Sequence, residues 1–186
     1  CRARKMNEET LSVNGQIRVL GRTRPIVAIV GRPNVGKSTL FNRILGARWA
    51  ITDDQPGVTR DQIFAAAEWA GRTFTLVDTG GYVPGSKDAI EVAVRTQAES
   101  AIADADIALF LCDGSSGLTD LDREVGALLR KGGGKSLLVV NKVDAVGPAQ
   151  SLDEFYTLGL GDPLPVSATT GRRSGDLLDA LVALLD

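Results

Sequence analysis

The run Gly31-Arg32-Pro33-Asn34-Val35-Gly36-Lys37-Ser38 constrains this chain more than any other feature. Glycine, four residues, then Gly-Lys-Ser is the spacing of a phosphate-binding loop. The pattern has meaning only between a strand and a helix, and both flanks comply. Ile26–Val30 is apolar and β-branched, which predicts a buried strand. Thr39-Leu40-Phe41-Asn42-Arg43-Ile44-Leu45 suits a helix, predicted over Lys37–Leu45 with Gly46 as its stop. Glycines let backbone N–H groups approach a phosphate closely, and a helix N-terminus adds a favourable dipole. In this setting Lys37 would reach the β- and γ-phosphates of a nucleotide, and Ser38 would hold magnesium through its hydroxyl.

Composition narrows the classes. A length of 186 residues with 44% apolar content suits one α/β domain with a real core, not two. The formal charge of −2 offers no global attraction to nucleic acid or anionic membrane. No apolar run approaches a bilayer span, so no membrane association is expected, and no signal-peptide pattern is present. Cys1 and Cys112 make no disulfide framework, so no disulfide partner is expected, and Cys112 reads as a reduced core residue. With no histidine in the chain, histidine general-base chemistry and histidine metal sites are excluded. Any metal must then take oxygen ligands, which points to magnesium.

Residues 1–24 read as a leader, polar and basic, disordered or an artificial remnant, with Met6 open as a true start. From residue 25 to 186 the pattern alternates. Strands are predicted at Ile26–Val30, Ile63–Trp69, Thr73–Val77, Ile107–Leu111, Ser136–Val140 and Leu164–Val166. Helices are predicted at Lys37–Leu45, Ile90–Ala103, Asp120–Arg130, Leu152–Leu158 and Gly175–Leu185, the last strongly amphipathic. The expected fold class is α/β, with a six-stranded, mostly parallel sheet and helices on both faces. Only Ala70-Gly71-Arg72 separates the second and third strands, which predicts a hairpin and one antiparallel strand.

Ligands bind such sheets at the carboxyl ends of strands, and three further chemically marked segments follow strands. Asp78-Thr79-Gly80-Gly81 places a carboxylate where it can orient magnesium and a glycine, Gly81, whose N–H can approach the γ-phosphate. Asn141-Lys142-Val143-Asp144 offers a carboxylate, Asp144, able to accept both N1–H and the N2 amine of guanine. Adenine has no equivalent donor pair. The aliphatic stem of Lys142 can cover one face of the base. Ser167-Ala168-Thr169 could supply a backbone N–H to guanine O6. Between the phosphate loop and the hairpin, a long polar segment from Arg48 to Asp61 carries Thr52 and Thr59. Either threonine could reach magnesium when a γ-phosphate is present, ordering the segment with the nucleotide.

Gly-Arg-Pro-Asn-Val-Gly-Lys-Ser-Thr-Leu-Phe-Asn at 31–42, Pro-Gly-Val-Thr-Arg-Asp at 56–61, Trp69 with Gly71-Arg72, and Leu-Val-Asp-Thr-Gly-Gly at 76–81 together resemble the first GTPase domain of the Der (EngA) family. The resemblance runs from about Pro25 to Asp186 and implies a P-loop, Ras-like GTPase domain acting on GTP with magnesium, with slow turnover. It also implies a cytoplasmic role in assembly of the large ribosomal subunit, with the ribosome as partner. It selects Thr59 over Thr52, giving Lys37, Thr59 and Gly81 as catalytic groups and Ser38, Thr59 and Asp78 around magnesium. The nucleotide set becomes Asn34, Val35, Gly36, Lys37, Ser38 and Thr39, then Asn141, Lys142 and Asp144, then Ser167, Ala168 and Thr169. Family members carry two such domains and a KH-like domain, so a piece of a longer protein is expected.

Tyr82 stands where Ras-like enzymes carry a water-orienting glutamine. A phenol with a pKa of about 10 is a poor base near neutral pH, so Tyr82 reads as structural. Related GTPases without that glutamine use potassium held by a loop asparagine, a position that Asn34 matches. A loop-shaping hydrogen bond is the other reading of Asn34. Two rival functions remain at this level. One is a guanine-nucleotide switch with negligible hydrolysis in the isolated domain, and the other an adenine-nucleotide enzyme, which Asp144 opposes.

Overall fold

The structure, a computed structural model, describes residues 10–13, 16–19, 24–47, 62–80, 85–144 and 151–186. Thr59, Gly81 and Tyr82, with the whole Arg48–Asp61 connection, lie outside the described residues. In chain order the strands are β1 (Thr10–Val13), β2 (Gln16–Val19), β3 (Ile26–Val30), β4 (Ile63–Trp69), β5 (Arg72–Asp78), β6 (Ile107–Asp113), β7 (Lys135–Asn141) and β8 (Leu164–Pro165). The helices are α1 (Lys37–Ala47), α2 (Lys87–Asp104), α3 (Asp120–Gly132), α4 (Asp153–Tyr156) and α5 (Ser174–Leu185).

β1 and β2 form a separate antiparallel pair within the stretch read as a leader. The main sheet has six strands in the order β4-β5-β3-β6-β7-β8. Every pairing in it is parallel except β4 with β5. The α/β class and the single antiparallel strand are therefore as the sequence predicts.

Burial explains the arrangement. All of β6 is buried, as expected of a central parallel strand covered on both faces. Alternate β3 residues serve opposite cores. Val27 and Ile29 pack with Leu40, Phe41 and Ile44 of α1 and Leu177, Leu178 and Leu181 of α5. Ala28 and Val30 face the layer built from Val94 and Ala98 of α2, Val125 and Leu129 of α3, and Phe155 of α4. Strands whose alternate residues face opposite helix layers leave their carboxyl ends free for a site.

Several boundaries differ from the sequence reading. α1 passes through Gly46 to Ala47, so glycine here sits inside the last turn instead of ending the helix, and a side chain at this position would meet nothing within 4 Å. α2 begins earlier, at Lys87, where the Ser86 hydroxyl accepts from the Ala89 N–H at 3.2 Å and caps a polar first turn. The β4–β5 connection is two residues, not three. Ala70 at φ 50° and Gly71 at φ 77° make the left-handed pair of a tight hairpin turn, and Arg72 joins β5 opposite Trp69. α4 is a single turn tightened by i→i+3 bonds, Thr157 N–H to Glu154 and Leu158 N–H to Phe155.

Candidate functional site

The phosphate loop closes onto the head of α1. The Leu40 N–H donates to the Gly36 carbonyl at 2.9 Å, the first bond of the helix. Gly36 has a φ of 100°, and a Cβ there would sit 2.2 Å from the Asn141 amide nitrogen. Only glycine fits this backbone at this distance.

Lys37 is buried, and its Nζ donates to the carbonyls of Gly31 and Arg32 at 2.8 Å each. An ammonium carries three N–H groups, so one remains for a ligand. Burial pulls its pKa from 10.5 down to about 8, with Asp78 opposing the fall and Arg32 adding to it. The Ser38 hydroxyl donates to Asp78 Oδ2 at 2.8 Å, and the Gly80 N–H donates to Asp78 Oδ1 at 2.9 Å. Thr79 is fixed beneath by its hydroxyl bond to the Ile29 carbonyl at 2.6 Å. A hydroxyl and a carboxylate side by side at the head of a helix form a hard oxygen pair suited to magnesium.

An open cleft of about 440 Å³ lies over this loop, walled by Asn34, Gly36, Lys37, Ser38, Thr39, Gly80 and Lys142 together with Pro33, Val94 and Gln97. Val35 is buried below it.

The base-side residues connect to the same rim. The buried Asn141 carboxamide donates to the Val35 carbonyl and accepts from the Ala168 N–H, both at 2.9 Å. It thus ties the phosphate loop to the segment after β8. The Ser167 hydroxyl donates to Asp144 Oδ1 at 2.6 Å and holds that carboxylate in place. Ser167 N–H donates to the Arg172 carbonyl and Ala168 N–H to Asn141, so the Thr169 amide is the one in this triplet that makes no hydrogen bond to the described residues. Arg43 of α1 donates to the carbonyls of Ala168 at 2.9 Å and Thr169 at 2.6 Å. Asp144, Ser167, Ala168 and Thr169 are not in the wall of the cleft itself.

Two links escaped the sequence reading. Asp113, at the end of β6, accepts from the Ser115 N–H at 2.8 Å and from Lys142 Nζ at 2.7 Å. Burial pushes its pKa up, but the bonds from Lys142 and Ser115 outweigh this and hold it at about 2. Lys142 also donates to the Asn34 carbonyl at 2.7 Å. Both residues of that contact are left-handed, Asn34 at φ 66° and Lys142 at φ 65°. Strained non-glycine backbone of this kind gathers at functional sites. The second link is Arg32, whose guanidinium reaches Asp122 at 3.1 Å and the Ser116 hydroxyl at 2.6 Å, joining the phosphate loop to α3. Predicting β6 only as far as Leu111 hid Asp113. The Asp-Gly-Ser-Ser turn that follows an apolar strand was the available signal.

Loop for loop, this rim is that of a Ras-like P-loop protein. The chain belongs to the family of 50S ribosome-binding GTPases, whose pattern matches residues 26–142. It is 56% identical over 159 residues to GTPase Der of Clostridium novyi and 59% identical over 159 residues to GTPase Der of Desulforamulus reducens. Each match takes in 86% of this chain and 36% of the relative, so the chain spans about a third of the length of these proteins. Among solved structures, Aquifex aeolicus Era bound to GDP·AlF4− is similar with a TM-score of 0.66 and 28% identity, over 86% of this chain and 56% of that one. A structure of Era with MgGDPNP and a 16S ribosomal RNA segment gives the same TM-score of 0.66 and the same 28% identity. The resemblance to Der-type GTPases expected from the motifs is thus shown.

Proposed function

We propose that residues 25–186 form a magnesium-dependent GTPase domain that hydrolyses GTP to GDP and phosphate, with residues 1–24 outside it. The carrying observation is the Asn141 bridge, which unites a phosphate-binding half with a guanine-reading half on one sheet rim. On the phosphate side, the third N–H of Lys37 and the loop amides would stabilise charge developing on the β- and γ-oxygens. Ser38 and Asp78, with Thr59, would hold magnesium, which when bound neutralises the phosphates. Gly81 would add a backbone donor to the γ-phosphate. On the base side, Asp144 would accept from guanine N1–H and N2, the stem of Lys142 would cover the ring, and an amide of Ser167–Thr169 would meet O6.

The Der relatives and the Era structures support this reading. By the same likeness the domain would serve cytoplasmic assembly of the large ribosomal subunit as part of a longer protein. Asn34 would hold potassium beside the phosphates. No helix among the described residues is long and apolar enough to cross a membrane.

Calorimetry with magnesium tests binding: GDP should bind and ADP should not compete. Phosphate release from GTP in potassium and in sodium buffer tests hydrolysis and the Asn34 assignment. Tyr82, in the place of a water-orienting glutamine, favours a second reading, a nucleotide switch with negligible hydrolysis. Binding of GDP and GTP with no phosphate release in either buffer would select it.

A further inference from the structure

One wall of the phosphate cleft comes from neither the loop nor a strand end. It is α2, which contributes Val94 and, one turn on, Gln97. Val94, Ala98 and Ala101 bury one stripe of this helix, and Arg95 pairs with Glu124 of α3 at 2.7 Å, so the backbone carrying Gln97 is anchored. Of the other polar side chains around the cleft, Lys37, Ser38 and Lys142 are held by partners, whereas the Asn34 carboxamide and the Thr39 hydroxyl, carried by the phosphate loop and the head of α1, make no hydrogen bond to the described residues. Lys37 is bound to Gly31 and Arg32, Ser38 to Asp78, and Lys142 to Asn34 and Asp113. The half-buried Gln97 carboxamide makes no hydrogen bond to the described residues.

A carboxamide is suited to this place. It accepts through its oxygen and donates through its nitrogen, which is what a water poised beside a phosphate oxygen requires. It is neutral, so it neither repels the phosphates nor titrates. The residue after Gly81 is a tyrosine, whose single hydroxyl oxygen must serve as both donor and acceptor, unlike the two separate atoms of a carboxamide.

Resting on the GTPase reading above, we propose that Gln97 reaches the terminal phosphate from α2 and orients the attacking water. The Gln97 oxygen accepts from the water and its amide N–H donates to a γ-oxygen. The water oxygen forms the new bond to the γ-phosphorus while the bond from phosphorus to the β,γ-bridging oxygen breaks. Its electron pair leaves with GDP, and the proton lost by water passes to the released phosphate or to solvent. Gln97 itself is unchanged.

The test is single-turnover GTP hydrolysis by the 186-residue chain and its Gln97→Ala and Gln97→Glu variants, with GDP affinity measured alongside. Glu99→Ala, an exposed change on the same helix, controls for disturbance of α2. The proposal expects turnover to fall at least about tenfold in both Gln97 variants, towards the roughly 100-fold lost when one positioned donor is removed. GDP affinity should stay within about twofold, as expected of a group acting on the terminal phosphate alone. Aluminium fluoride should tighten GDP binding in the parent chain and in Glu99→Ala but not in Gln97→Ala. Parent-like turnover in Gln97→Ala overturns the proposal and leaves the GTPase reading standing. A parallel fall of turnover and GDP affinity also overturns it, since Gln97 would then serve folding or ground-state binding. A parent chain that binds GDP but releases no phosphate overturns the hydrolysis reading and this proposal together.

Discussion

Lys142 and Asp113 form an ion pair 2.7 Å long that holds the lysine against the phosphate loop. The stem proposed to cover the base is therefore fixed from a third strand end, that of β6. In the proposed reading, base recognition would depend on a carboxylate that touches no ligand itself.

Asp113→Asn should loosen Lys142. Loss of this charge-assisted bond is expected to cost about 1–2 kcal/mol of stability, the lower part of the range because Lys142 is partly exposed. GDP affinity should drop about tenfold, a change worth roughly 1.4 kcal/mol. Urea unfolding and calorimetry measure the two quantities separately.

Lys37 gives a pH signature. Its folded pKa of about 8 lies below the ordinary 10.5, so between these values the unfolded chain holds the extra proton. This group's contribution makes nucleotide-free stability rise with pH across that window. A bound phosphate favours the charged amine and should restore its proton. GDP binding at pH 8.5 should therefore take up a fraction of a proton, seen as a dependence of the binding heat on buffer ionisation enthalpy. Binding should weaken as pH rises above 8. Proton release on binding, or a flat profile, would contradict the placement of this amine against the phosphates.

Asp144→Asn exchanges one acceptor of the carboxylate for a donor, so its preference should move from guanine towards xanthine, whose C2 carries an oxygen in place of the amine. The Ser167 hydroxyl, 2.6 Å from Asp144 Oδ1, should still hold the side chain in place. Competition of GDP against xanthosine diphosphate reads the shift, and unchanged GDP affinity would refute the base-reading role.

Arg43→Ala should release the carbonyls of Ala168 and Thr169, with GDP affinity falling roughly threefold to tenfold as two charge-assisted bonds disappear. Arg43→Lys should recover little, because one ammonium cannot match a planar fork spanning two carbonyls. Equal GDP affinity in all three proteins would rule out a positioning role.

The parts that could be read from the chain are those where local chemistry repeats in the fold. β3 and the phosphate loop follow from an apolar run and glycine spacing. The strand ends at Asp78 and Asn141 follow from polar residues closing apolar runs. Asp113 was hidden because it closes a run whose partner, Lys142, lies 29 residues further on. The Arg32–Asp122 bond spans 90 residues and the Arg43–Thr169 bond 126. No periodicity reports such pairings, since the folded sheet order creates them. Gly46 misled in the opposite direction: glycine permits a helix end without compelling one, and here the helix runs on to Ala47.

Asn141 spends its oxygen and its nitrogen on opposite flanks of the rim, so either flank that opens gives up its bond to the one side chain that also fixes the other. Slow hydrogen exchange at Ala168 should accordingly report on order at Val35. A ligand fragment as small as pyrophosphate, seated at one flank, should protect amides at the far one.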